Sequence, residues 1–369
     1  MRLLALELRR VLMPLVAPFR TAFGVQSERE ALLVRATTTE GHGWGECVAQ
    51  SEPAYSSEFV LGCELVIERH LAPRLFRRPR LAAADVAGAL AGVSGHRMAK
   101  AALEMAVLDA ELRSRGVSLA SHLGGVRERV PAGVSLGIQG SVDQLLQVVE
   151  DHLERGYRRV KLKIEPGWDA EPVRAVRERF GPDLALQVDG NGAYRRCQAD
   201  QLLALDDLGL LLIEQPFPEE QVLAHAELAR EIRTPVCLDE SITSAETADA
   251  ALQLGACRVV NVKPGRVGGH LEAVRIHDLC QRRDVPVWCG GMLETGLGRA
   301  ANLALAALPG FTLPGDLSAS RRYYHRDVTP PFELEDGCIR VPDGPGLGVE
   351  PVPAILDEVT VARRVLEPE

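Results

Sequence analysis

A closed parallel α/β barrel, joined to an α+β region built from both ends of the chain, is the fold class the sequence predicts, and three observations predict it. Beyond residue 125, eight short apolar runs alternate with amphipathic stretches, the rhythm of repeated strand–helix units and a parallel sheet. Five reactive side chains close consecutive runs at near-constant spacing: Lys163, Asp189, Glu214, Asp239 and Lys263, separated by 26, 25, 25 and 24 residues. The first ~50 residues alternate instead with the two-residue period of an antiparallel meander.

Within the first region, taken as residues 1–125, strands are expected over 4–8, 31–37 and 44–48, the last two joined through Glu40-Gly41-His42-Gly43. Residues 14–28 hold two prolines, Phe19, Phe23 and Gly24 and read as too irregular for a strand. A flap over a site and a plainly packed loop are both open readings of that segment. Residues 56–116 turn helical, clearest over 98–109, where the density of Ala and Leu suits a helix packed closely between other elements.

In the barrel region, 126–330, the runs are 133–138, 159–164, 184–188, 210–213, 236–238, 259–262, 285–289 and 311–313, with helices filling gaps such as 172–180, 221–232 and 245–254. An open doubly wound sheet is the rival arrangement, but it gives no reason for functional residues at five consecutive strand ends. A closed barrel does, because its active site forms at the C-terminal ends of its strands. The tail, 331–369, is expected to return to the first region, with 337–341 as a strand and 342–348 as a turn-rich loop.

At 369 residues, 46% hydrophobic and 25% charged, the chain has the composition of an ordinary two-domain soluble protein. A net charge of −9 argues against a nucleic-acid partner, which demands a clustered excess of Lys and Arg. Charge appears too early in the first residues for a signal peptide, and no apolar run approaches the ~18 residues that span a bilayer, so no membrane partner is expected and a cytoplasmic location is. Eight cysteines without a Cys-x-x-Cys pair, several inside apolar runs, read as buried free thiols rather than a zinc site or disulfide framework.

The chemistry lies at the strand ends. Any one acid after a strand is commonly a helix N-cap or an ion-pair partner. Three carboxylates on neighbouring strand ends, however, supply the oxygen ligands that a hard cation such as Mg²⁺, or Mn²⁺ in its place, requires. No histidine sits in these motifs. Lys161 and Lys163, two apart on one strand, face the same way, into the barrel. Lys263 arrives four units later, across the barrel, so two amines flank the metal position. Such a site can remove a proton beside a carboxylate, and crowding of positive charge is expected to lower the lysine pKa values toward neutrality.

The motifs Lys161-Leu162-Lys163, Asp189-Gly190-Asn191, Ile213-Glu214-Gln215-Pro216, Asp239-Glu240-Ser241 and Asn261-Val262-Lys263 resemble, in order, those of the enolase superfamily, muconate-lactonising-enzyme subgroup. Residues 133–138, 163–169, 288–296 and 313–316 are similar to the branch of N-succinylamino acid (N-acylamino acid) racemases and o-succinylbenzoate synthases, and the likeness covers nearly the whole chain. The resemblance implies a modified (β/α)7β TIM-type barrel under a capping domain. It implies Asp189, Glu214 and Asp239 as Mg²⁺ ligands and Lys163 and Lys263 as the acid/base pair, with Lys161, Asn191 and Glu240 in support. Phe19, Phe23, Gln50, Ser135, Gly291, Met292, Glu294 and Asp316 would then meet a small carboxylate substrate, and a homo-oligomer is expected.

Two departures from that pattern are Gly190 and Gly192 around Asn191, which would loosen the turn, and Gln50, which would alter the pocket. The expected activity is racemisation of N-succinyl or other N-acyl amino acids together with o-succinylbenzoate synthesis. A dedicated synthase of menaquinone biosynthesis is the alternative. A dipeptide epimerase or a cycloisomerase is a second enzyme reading, the epimerase disfavoured because Leu313-Pro314-Gly315-Asp316 lacks its Asp-x-Asp, and a silent barrel would not keep the set complete.

Overall fold

In a computed structural model, which describes residues 1–368, three sheets organise the chain. The first is antiparallel, formed by β1 (Leu3–Thr21), β2 (Gly24–Thr38) and β3 (Gly41–Cys47), with β14 (Thr360–Leu366) added beside β1. The alternation read in the sequence buries one face of these strands, with Leu6, Leu8, Leu32, Val34 and Ala36 among the core residues. Helix α1 (Arg97–Arg115) lies against that face. Its approach is unusually close: a Cβ on Gly45 would stand 2.0 Å from the Ala102 oxygen, and one on Gly43 2.1 Å from the Ala110 nitrogen. Small residues on both surfaces are therefore a packing requirement, as the Ala-rich sequence of α1 suggests.

Residues 14–28 are a hairpin rather than an irregular loop. Strand pairing with β2 continues to Pro14, opposite Glu28, breaks over residues 15–18 where the register shifts, and resumes with Phe19 opposite Gln26 down to a turn at Ala22-Phe23. Two prolines disrupt the ladder locally, but the partner strand carries it on. Phe19 and Phe23 are thereby held over the barrel mouth on a two-stranded arm.

The second sheet is parallel, seven strands in sequential order: β5 (Gly133–Leu136), β6 (Arg159–Lys163), β7 (Ala185–Asp189), β8 (Ile213–Glu214), β9 (Val236–Leu238), β10 (Val259–Val262) and β11 (Val287–Cys289). Helices α2 (Val142–Glu154), α3 (Ala170–Phe180), α4 (Val222–Glu231), α5 (Ala245–Gln253), α6 (His270–Arg282) and α7 (Gly296–Ala306) follow individual strands. The eighth run forms no strand. Residues 311–316 close the curled sheet through parallel bridges Val287–Phe311 and Ala132–Gly315, with Gly133 N donating to Gly315 O (2.7 Å) and Asp316 N to Cys289 O (2.9 Å). Pro314 has no N–H to offer a ladder, which explains why the closure is made of single bridges. Leu212, Cys237, Val259 and Trp288, with Leu313 against them, form a separate small core inside the sheet.

The tail returns to the first region, its loop at 342–348 meeting residues 117–119 and Asp109, but the strand expected at 337–341 has a different partner. β13 (Cys338–Arg340) pairs with β4 (Arg129–Pro131) and with β12 (Leu334–Glu335) in a third small sheet. The strand that rejoins the first sheet is β14, antiparallel to β1 with Leu366 opposite Leu6. All eight cysteines are free, and among the described residues no helix is long and apolar enough to cross a membrane.

Candidate active site

Strand register assembles the site. Lys163, Asp189 and Glu214 are direct neighbours across β6, β7 and β8, so their side chains emerge on one face at one level. Asp239 follows β9 and Lys263 follows β10 at the same end. A narrow, partly open cavity of about 50 Å³ lies there. Phe19, Phe23, Gln50, Ser135, Lys161, Lys163, Asn191, Lys263, Gly291, Met292 and Asp316 line it, together with Thr21, Gln26, Tyr55, Leu293 and Tyr323. Asp189, Glu214 and Asp239 lie behind this lining, fully buried. Glu240 faces an adjoining hollow, and Glu294 turns away to accept from Asn302 Nδ2 at 2.9 Å.

Each carboxylate is engaged by a cation. Lys163 Nζ lies 2.5 Å from Asp189 Oδ2 and 2.6 Å from Asn191 Oδ1. Lys263 Nζ lies 2.7 Å from Asp239 Oδ2, whose other oxygen is paired with Arg266. Lys161 Nζ reaches Glu214 (3.1 Å), Asp189 (3.2 Å) and Asp316 (2.6 Å), and Arg159 holds the remaining Asp316 oxygen at 2.7 Å. Asn261 Nδ2 donates to Glu214 Oε1 at 2.8 Å.

The ionisation follows from this pairing. Burial pushes the Asp189 carboxyl up, but Lys163 and Lys161 outweigh it and bring it down to about 2. Burial likewise raises Asp316, and Lys161 and Arg159 reverse that, leaving it well below the carboxylate range. Glu214 is raised, by burial and then by the charge of Asp189. Glu240 is pushed up to about 7 by burial and Asp189. Lys263 and Lys161 do not follow the expectation of a lowered pKa. Burial pulls Lys263 down, but Tyr55, Glu240 and Glu214 hold it above its ordinary value, and Lys161 is held up by Asp316, Glu214 and Asp189 against the same burial. In this arrangement anions surround the amines more closely than other cations do.

Among the described residues no three His, Cys, Asp or Glu side chains stand together as a ready-made metal cluster, because the oxygens of Asp189, Glu214 and Asp239 are turned to the amines. The donor chemistry nevertheless fits a hard divalent cation: three buried carboxylates on consecutive strands, with Glu240 Oε2 beside them buried and unpartnered.

Two residues absent from the sequence reading complete the site. Tyr55, from the loop after β3, accepts from Lys263 Nζ at 3.1 Å, donates to Asp239 Oδ1 at 3.2 Å, and places its ring 4.7 Å from that amine. Arg266, three residues after Lys263, is fully enclosed and donates to Ile242 O (2.7 Å) and Asn261 O (2.6 Å). A lone aromatic in the turn-rich stretch Glu52-Pro53-Ala54-Tyr55 was the only signal for the first. The turn at Asn191 is firmer than its glycines suggest: Gly190 N donates to Glu214 O (3.0 Å) and Gly192 N to Gln215 O (2.8 Å), and Asn191 itself takes φ 43°.

Residues 5–124 match the family described as mandelate racemase / muconate lactonizing enzyme, N-terminal domain, and residues 144–355 match the one described as enolase C-terminal domain-like. An N-succinylamino acid racemase of Amycolatopsis sp. is 62% identical over 363 residues, 98% of this chain and 99% of the other. An o-succinylbenzoate synthase of Geobacillus kaustophilus is 49% identical over 345 residues, 93% and 92% of the two chains. A solved structure from Listeria innocua, described as a member of the enolase superfamily, superposes with a TM-score of 0.95 at 39% identity over 100% of this chain and 99% of its own. By both domain matches and this full-length likeness, the chain belongs to the enolase superfamily of enzymes, within its mandelate racemase / muconate lactonizing enzyme family.

Proposed function

We propose that this protein racemises N-acyl, foremost N-succinyl, amino acids by moving the α-proton between two lysines, and that the same cavity carries out o-succinylbenzoate synthesis. One observation carries the reading: Lys163 and Lys263 reach one cavity from strand ends four units apart, each backed by a buried carboxylate. The 62% identical racemase and the 49% identical synthase support it.

Asp189, Glu214 and Asp239 would hold Mg²⁺ or Mn²⁺, which supplies positive charge to a substrate carboxylate when bound. The amine of one lysine takes the α-proton, and the C–H electron pair moves into the carboxylate as an enediolate. The other lysine, as an ammonium, returns a proton to the opposite face, so the product is the enantiomer and the lysines have exchanged protonation states. For dehydration, Lys163 takes the proton and gives it back to the departing hydroxyl as water, while the Lys263 ammonium stabilises the enediolate by charge. Asn191 orients Lys163 and Tyr55 orients Lys263 through the bonds described above. The Ser135 hydroxyl, buried at the cavity wall without a partner, is free to meet a polar group of the substrate.

Proton NMR in D₂O with Mg²⁺ tests this. Loss of the α-proton signal of N-succinyl amino acids, with the opposite enantiomer forming, is the expected result, and Lys163→Ala or Lys263→Ala should lower racemisation by at least about 10³-fold. Full activity in either variant overturns the lysine assignment. A dedicated synthase, the alternative reading, would show dehydration without any α-proton exchange of N-succinyl amino acids.

A further inference from the structure

Glu46 lines no part of the cavity, yet it joins the capping sheet to one of the cavity's walls. It is the second-to-last residue of β3, buried, and it accepts three hydrogen bonds from the barrel: Thr295 Oγ1 at 2.6 Å, Thr295 N at 3.0 Å and Gly298 N at 2.9 Å. These donors open helix α7, whose first-turn N–H groups have no partner within the helix. The rest of that turn is also satisfied, Leu297 N by Thr295 Oγ1 (3.3 Å) and Gly296 N by Asp327 Oδ1 (2.8 Å). The fit leaves no slack: a Cβ on Gly298 would stand 2.9 Å from Glu46 Oε2.

Thr295 follows Gly291, Met292 and Leu293, which wall the cavity, and Glu294, which turns away from it. In that stretch Met292 Sδ lies 3.6 Å from Lys263 Nζ, and Leu293 sits at φ 57°, a left-handed conformation that a leucine keeps only where its surroundings impose it. On the other side of Glu46 the chain runs through Val48 and Ala49 to Gln50. There the buried Arg29 guanidinium of β2 donates to Val48 O (2.8 Å) and Ala49 O (2.7 Å). Within five residues the chain is tied to the barrel by Glu46, tied to the hairpin's own strand by Arg29, and then delivered into the cavity.

The structure assigns Glu46 as a positioning residue that sets the spacing between the two cavity walls, the cap loop beginning at Gln50 and the barrel segment 291–293, and thereby the size of side chain the substrate can bring. The substrate part of this rests on the function proposed above; the positioning part does not.

The test uses the full-length Mg²⁺-loaded protein with Glu46→Gln, which keeps the shape but places an NH₂ against backbone donors. Amide hydrogen exchange over 290–298 should quicken about tenfold or more. Across N-succinyl amino acids of increasing side-chain size, KM should rise about fivefold with kcat within about twofold, and the preference between sizes should flatten. Thr295→Val, which removes the hydroxyl donor, should reproduce both effects, and Thr295→Ser should restore them to wild-type values, so the inference stays testable if Glu46→Gln does not fold. Unchanged exchange over 290–298 overturns it. So does a lowered Tm with KM, kcat and size preference all unchanged, the mark of a purely structural contact. If the wild type turns over no N-acyl amino acid, the proposed function fails while the exchange experiment still decides whether Glu46 holds the wall.

Discussion

Asp316 shows how far a single side chain can differ from what its position in the sequence suggests. It lines the cavity, yet both of its oxygens are already held, one by Arg159 and one by Lys161, so its charge is committed to two buried cations. Removing one member of such a set strands the others in low dielectric, so Asp316→Ala should cost about 3–5 kcal/mol in urea unfolding, and a double-mutant cycle with Arg159→Met should show strong coupling. The pH dependence has a defined sign. Because the folded carboxyl lies below its ordinary value of 3.8, the stabilisation is present above that pH and is lost as pH falls through the folded value, steepening the acid limb of the stability curve. The two lysines and three carboxylates were legible because a β/α repeat converts strand ends into a regular spacing. Tyr55 and Arg266 were not, because a loop aromatic and an arginine one turn into a helix have no periodicity to betray them.

Strands and helices carry a second kind of constraint, the close contact between elements. Gly45 lets β3 lie against α1, and Gly45→Ala would drive a methyl into the Ala102 carbonyl, so the helix must shift; a loss of about 1–3 kcal/mol in thermal or urea unfolding is expected. The N-terminus of α6 offers another test. The Glu104 carboxylate of α1 accepts from Leu271 N at 3.1 Å, and burial lifts its pKa to about 7, only partly opposed by the Leu271 and His270 backbone N–H groups. Its raised value means that it contributes stability below its unfolded value of 4.5 and loses that contribution as pH rises through about 7. Glu104→Gln should therefore flatten stability between pH 4.5 and 7 and stabilise the protein at pH 8 by up to about 3 kcal/mol, read by urea unfolding at pH 5 and pH 8. Six of the eight apolar runs became strands where the sequence placed them, and the fourth, 210–213, yields only the two-residue strand Ile213–Glu214 at its end. The eighth did not, since Pro314 interrupts its ladder, and the hairpin at 14–28 was missed because its regularity is supplied by β2 rather than by its own composition.

For the whole molecule, linkage to a cation is the broadest expectation. If Asp189, Glu214 and Asp239 bind Mg²⁺ only in the folded state, Mg²⁺ at 100 times its Kd adds about 2.7 kcal/mol, so the midpoint of thermal unfolding should rise with Mg²⁺, fall on chelation, and respond far less in Asp189→Asn. The chain's path has a consequence of a different kind. β14 completes the first sheet beside β1, with Leu366 opposite Leu6, so the two are partners separated by nearly the entire chain. During translation β1, β2 and β3 emerge first, yet their outer edge stays unpaired until residues 360–366 leave the ribosome. A nascent chain stalled before residue 360 should hold an assembled barrel beneath a cap with one open strand edge, a surface that a chaperone would recognise and a protease would find first.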